Sequence, residues 1–213
     1  MYFLALATGY DGTLAYDGIV AEATIAALRR FKATGRKLVL VTGRILEDLI
    51  QAFPEVALFD RVVAENGALI YDPQTRKERS LAPPPPPVFA EILRQREVRP
   101  VSVGRTIVAT CEPHETTVLR TIHELGLELE VLFNKGAVMV LPTGINKAVG
   151  LSAALAELGL SVHNVAGIGD AENDHTFLRA CGCAAAVANA LPIVKDGADL
   201  TLAPNDTAFS NSP

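Results

Sequence analysis

The chain has 213 residues, 49% of them hydrophobic and 20% charged. This excludes a disordered chain and allows a real core without disulfides or a structural metal. Nineteen Lys and Arg against 24 Asp and Glu give a net charge of −5, so nucleic acid is not expected as a partner; the three cysteines, two of them separated only by Gly182, make no closed zinc site and fit a reducing compartment.

In chain order, the apolar stretch Tyr2–Ala7 is too short for a signal peptide's apolar region or a membrane span. It reads as a strand over Phe3–Thr8, and the protein is expected in the cytoplasm with no membrane partner. Glu22–Ala33 carries Ile25, Leu28 and Phe31 at helical spacing before Gly35. Lys37–Val41 is a strand and Ile45–Ala52 a short helix ended by Pro54. Arg61–Ala64 and Ala68–Tyr71 are strands on either side of Glu65-Asn66-Gly67. Late in the chain come helix Ala148–Leu158, strand Asn164–Ile168, helix Asn173–Ala180, and strands Ala184–Val187 and Leu200–Leu202. Alternating strands and helices predict an α/β, Rossmann-like parallel sheet with helices on both faces.

The middle differs. Pro83–Pro87 is a run of five prolines, expected as a stiff extended spacer. Helix Val88–Arg94, strand Ser102–Thr110, helix His114–Leu125 and strands Glu128–Phe133 and Ala137–Leu141 follow, the last two forming a hairpin around Asn134-Lys135-Gly136. This order predicts a small α+β insert at residues 83–136, within a core of residues 1–82 and 137–213.

Four clusters carry candidate chemistry. Thr8-Gly9-Tyr10-Asp11-Gly12-Thr13-Leu14 follows the first strand, where open α/β sheets place ligands. It is either a phosphate-holding turn of exposed amides or a plain Asp-Gly β-turn. Thr42-Gly43-Arg44 follows a strand too; Thr42 either binds a phosphate oxygen or caps the next helix. Lys147 opens a helix, which alone would mean a solvated charge. Gly169-Asp170-Ala171-Glu172-Asn173-Asp174 crowds three carboxylates after a strand. That suits a hard cation such as Mg²⁺, or an acidic helix start.

In this order, with the insert between the second and third clusters, the sequence resembles the haloacid dehalogenase superfamily of phosphohydrolases. The branch with an inserted α/β cap, the Cof-like or sucrose-phosphatase-like group, is the nearest, and Ala64-Glu65-Asn66-Gly67-Ala68 looks like it too. The resemblance implies hydrolysis of a phosphate monoester through an aspartyl-phosphate, with Mg²⁺ as cofactor. It implies Asp11 as general acid/base and, through its main-chain carbonyl, a metal contact. Thr42 and Lys147 would bind phosphate, Asp170 would hold Mg²⁺, and Asp174 and Asn173 would support the metal or Lys147. Gly12, Thr13, Gly43 and Arg44 would contact the substrate, Arg44 at the entrance. Asn134 and Lys135 are the cap residues expected to reach the substrate; Arg105, Glu112 and His114 are further cap candidates.

One departure matters: the nucleophile position, two residues before Asp11, is Gly9. Glycine can neither attack phosphorus nor ligate a metal. Three accounts stand: an introduced change in an active lineage, a natural domain that binds a phosphorylated ligand without turnover, or slow direct attack by water with Asp11 as base. The first is favoured, with a small sugar phosphate or phosphoglycolate as substrate. The turn-rich tail Pro204–Pro213 would also suit a linker to further sequence. A dinucleotide-binding reading is weak, because no Gly-x-Gly-x-x-Gly follows the first strand.

Overall fold

The computed structural model describes residues 3–202; the tail Pro204–Pro213 lies outside the described residues. Strand β1 (Ala5–Gly9) is followed by a small hairpin of β2 (Ala15–Tyr16) and β3 (Ile19–Val20). Next come α1 (Glu22–Ala33), β4 (Lys37–Val41), α2 (Leu46–Ala52), β5 (Arg61–Ala64), β6 (Leu69–Asp72) and β7 (Lys77–Ser80). The middle holds α3 (Pro87–Gln95), β8 (Ser102–Val103), β9 (Val108–Cys111), α4 (Glu115–Glu124), β10 (Leu129–Asn134) and β11 (Ala137–Pro142). The chain returns through α5 (Lys147–Glu157), β12 (Val165–Gly169), α6 (His175–Ala180), β13 (Cys183–Val187), α7 (Pro192–Asp196) and β14 (Leu200–Leu202).

The large sheet has the order β14-β13-β12-β1-β4-β5-β6-β7. It is parallel from β14 to β5, whereas β6 and β7 add an antiparallel edge. Strand alternation sorts the core into two layers. Ala5, Ala7, Val39 and Val41 pack with Leu151 and Leu155 of α5 and with Phe177 and Leu178 of α6. Leu38, Leu40 and Val62 pack with Ile25 and Leu28 of α1 and Leu46 and Leu49 of α2 on the other face.

The second sheet, β10-β11-β9-β8, is antiparallel. One face, with Val108, Val138 and Val140, packs on Phe89 and Leu93 of α3 and Val118 and Ile122 of α4. A small cluster of Ile107 and Leu141 with Ile45, Ala68 and Ile145 joins this sheet to the large one.

Several expectations are corrected. Residue 137 does not begin the return to the large sheet: β11 is an inner strand of the second one, paired with both β10 and β9. The cause is the two-residue turn Lys135-Gly136, both at positive φ (50° and 81°), which folds β11 straight back on β10. The expected strand Ser102–Thr110 is two strands, because Gly104 donates to the Ile107 carbonyl (2.9 Å) and closes a turn between them. Of the five prolines, Pro87 already opens α3, where its missing N–H costs nothing. Among the described residues no helix is long and apolar enough to cross a membrane.

Candidate active site

Strand β1 lies between β12 and β4, so the loops at the carboxyl ends of these three parallel strands emerge side by side. Gly9 ends β1; Tyr10 turns into the core at 1% exposure, and Asp11 returns to the same side as Gly9. Thr42 follows β4, and Asp170 follows β12. Lys147 is brought in by α5, whose start is fixed by Asn146: its side-chain oxygen accepts the Ala148 and Val149 amides, each at 3.0 Å.

These residues border a cleft of about 400 Å³ between the two sheets. Gly9, Asp11, Thr42, Gly43, Arg44, Lys147, Asn173 and Asp174 line it from the large sheet's side. Asn134, Lys135, Ser102, Ile107, Ala109, Ala137 and Met139 line it from the second. Asp170 and Thr13, each 4% exposed, stand behind this lining. Gly12 lines an adjoining hollow shared with Asp11 and Lys135.

Three carboxylates here, Asp11, Asp170 and Asp174, each hold a cation of the chain, and Asp48 lines the cleft as a fourth. Asp11 accepts Arg44 Nε (2.8 Å) and a second guanidinium nitrogen (2.7 Å). Arg44 also lies over the Tyr10 ring at 5.1 Å. Its hydrogen bond to Asp11 raises the guanidinium pKa further, while burial pushes the Tyr10 phenol up. Asp170 Oδ2 accepts Lys135 Nζ (2.9 Å), and its Oδ1 accepts the Thr13 hydroxyl (2.6 Å). Asp174 Oδ1 accepts Lys147 Nζ (2.5 Å), and its Oδ2 accepts the Asp170 and Ala171 amides at 3.0 and 3.1 Å. Lys147, only 6% exposed, also donates to Asn173 Oδ1 (3.1 Å). A lysine opening a helix is normally solvated; this one is drawn inward by a buried acid.

Thr42 does not cap the next helix, whose N-cap is Ile45 with no side-chain cap; its hydroxyl accepts the Arg44 amide (3.1 Å) in the turn before α2, and the residue lines the cleft. The Gly12 and Thr13 amides, by contrast, are not offered to a ligand. They donate to the carbonyls of Ala15 (2.9 Å) and Tyr10 (3.3 Å). Arg105 does not line the cleft but pairs with Glu78 (2.8 Å) and Glu47 (2.5 Å), and His114 contacts the Arg99 main chain. Glu112 is likewise outside the lining.

Nothing in the backbone demands glycine at position 9, which is not among the residues at positive φ. A Cβ built there would lie 2.7 Å from Thr13 Oγ1, so the threonine hydroxyl fills the side that a longer residue would use. The three acids expected around Mg²⁺ therefore do not form one donor set: Asp11 is turned to Arg44, Asp174 is spent on Lys147 and two amides, and Asp170 faces a hydroxyl donor and an ammonium. Among the described residues no group of three or more His, Cys, Asp or Glu is placed to hold a metal ion. As arranged, these residues do not suit Mg²⁺.

Glu65 and Asn66, which local spacing singles out for no role, are both fully buried. Glu65-Asn66-Gly67 runs through three consecutive positive φ values (53°, 55° and 102°). At Gly67 a Cβ would meet the Asn146 carbonyl at 2.0 Å, so only glycine lets this turn press against the start of α5 and seat Lys147. Asn66 accepts from the Asn173 amide group (3.1 Å) and donates to Met139 sulfur (2.8 Å), joining the two sides of the cleft. Two polar residues and a glycine directly after the apolar strand Arg61–Ala64 were the available signal.

Comparison with known proteins places the chain in a family. The sequence matches the haloacid dehalogenase-like hydrolases over residues 6–101 and 105–208, and the chain belongs to that family. It is 29% identical over 205 residues to a phosphoglycolate phosphatase of Methanosarcina acetivorans, covering 93% of this chain and 89% of that one. A haloacid dehalogenase-like hydrolase from Bacteroides thetaiotaomicron superposes with a TM-score of 0.80 at 20% identity, covering 96% of this chain and 95% of the other. A sugar phosphatase of the superfamily's subclass IIB has a TM-score of 0.74, also at 20% identity, with 96% and 95% covered.

Proposed function

We propose that the cleft binds the phosphoryl group of a small phosphate monoester and that Gly9 leaves the chain with slow turnover. The observation that carries this is that Thr42 and Lys147 both line the cavity that opens beside Gly9. A hydroxyl after β4 and a buried ammonium at the start of α5 offer two donors to phosphoryl oxygens. Asp11 is positioned to protonate a leaving oxygen once Arg44 shares its hydrogen bonds with the ligand. In the aspartyl-phosphate route a carboxylate at position 9 would form the new P–O bond as the ester P–O bond breaks; glycine supplies no such oxygen. The same gap favours a second reading, a phosphometabolite-binding domain without turnover.

The ligand is short. Ala109, Ala137, Ile107 and Met139 make a mostly apolar wall, with Lys135 as its cation. This suits a phosphate ester with a second anionic group, and the similarity to a phosphoglycolate phosphatase supports 2-phosphoglycolate, with a small sugar phosphate as the alternative. Phosphatases of this superfamily generally use Mg²⁺; no step here is routed through it. Calorimetric titration with 2-phosphoglycolate and a panel of sugar phosphates tests the reading. Saturable binding is expected, weakened about tenfold in Thr42→Val by loss of a hydrogen bond to a charged group. Absence of binding by the whole panel would overturn it.

A further inference from the structure

Around the cleft, three carboxylates meet three cations of the same chain: Asp11 with Arg44, Asp170 with Lys135, and Asp174 with Lys147. These pairs cancel, and Asp48, which also lines the cleft near Arg44, leaves one negative charge over. An aspartate at position 9 would add a fifth negative charge and deepen the repulsion of a phosphate dianion, which a divalent cation entering with it would offset. Gly9 removes that charge.

Resting on the phosphate-site reading above, we propose that Lys135 is the resident counter-ion of Asp170 in place of a divalent cation, and that this chain binds phosphate esters without metal. The hairpin tip is shaped for the task. Lys135 holds a left-handed conformation (φ 50°), and its side chain is 58% exposed while its ammonium reaches an aspartate that is 4% exposed. An ammonium carries three N–H donors. One is used on Asp170 Oδ2, and the residue also lines the cleft, so the remaining donors can take a phosphoryl oxygen. The second oxygen of Asp170 is closed by Thr13, whose hydroxyl occupies the room left by the missing side chain at position 9. A divalent cation must displace both.

The test uses inorganic phosphate and Mn²⁺ as probes on the intact chain. By calorimetry, phosphate should bind with equal affinity in EDTA and in excess Mg²⁺, and Lys135→Met should weaken binding in EDTA about tenfold. By electron paramagnetic resonance, Lys135→Met should tighten Mn²⁺ binding about tenfold, because Asp170 loses its competing cation. Phosphate binding that requires Mg²⁺, or Mn²⁺ affinity unchanged by Lys135→Met, would overturn this proposal alone. Absence of phosphate binding in both buffers would overturn it together with the phosphate-site reading.

Discussion

Glu65 and Thr106 are joined twice: one carboxylate oxygen of Glu65 accepts both the Thr106 amide (2.7 Å) and the Thr106 hydroxyl (2.8 Å). The other oxygen accepts the Arg105 amide (2.9 Å). Glu65 is fully buried at a positive φ, so a residue at the end of β5 fastens the 104–106 turn of the second sheet over the cleft. Glu65→Ala leaves two amides without their acceptor and should cost about 3 kcal/mol, whereas Thr106→Val removes one hydroxyl bond and should cost about 1 kcal/mol. Urea unfolding of both variants checks this; equal small losses would show that the fastening is not made.

Lys147 and Asp174 form the most buried ion pair of the site, at 6% and 2% side-chain exposure. Lys147→Met strands the Asp174 carboxylate and should destabilise the fold by roughly 3–5 kcal/mol. Replacing Asp174 as well should not restore stability, because Asp174 also holds the Asp170 and Ala171 amides. Thermal melts of the single and double variants measure this. Full recovery in the double variant would mean that those amide contacts contribute nothing.

Burial pushes the Cys181 thiol up to about 12, with Cys183 nearby adding to the shift. The unfolded thiol ionises near the ordinary value of about 8.5. From there upward the unfolded state binds fewer protons than the folded one, so stability falls with rising pH until the folded pKa is passed, at about 1.4 kcal/mol per pH unit at most. Cys181→Ala should flatten the alkaline limb of a stability-versus-pH curve. An unchanged slope would contradict the burial argument.

The large sheet was legible because its strands are short apolar runs separated by periodic helices: Lys37–Val41 and Arg61–Ala64 form as read. What escaped is what depends on distant partners. β7 (Lys77–Ser80) is exposed throughout and carries no hydrophobic pattern; it is a strand because β6 pairs with it. The fate of β11 turned on a two-residue turn and not on its own composition. At the site, the positions of Thr42 and Lys147 followed from ordered motifs. That Asp11 would turn to Arg44, that Lys135 would choose Asp170, and that Glu65 would reach Thr106 are pairings across 33, 35 and 41 residues of chain. Local spacing does not encode such pairings.

On the proposed reading, slow turnover traces to the missing carboxylate at position 9. Gly9→Asp restores a nucleophilic carboxylate, and its Cβ drives the Thr13 hydroxyl off Asp170, freeing an oxygen for a cation. The decisive measurement is phosphate release from p-nitrophenyl phosphate in excess Mg²⁺ by both forms. The rate for Gly9→Asp should be higher by on the order of 10³-fold or more. Equal rates from two well-folded proteins would contradict that reading.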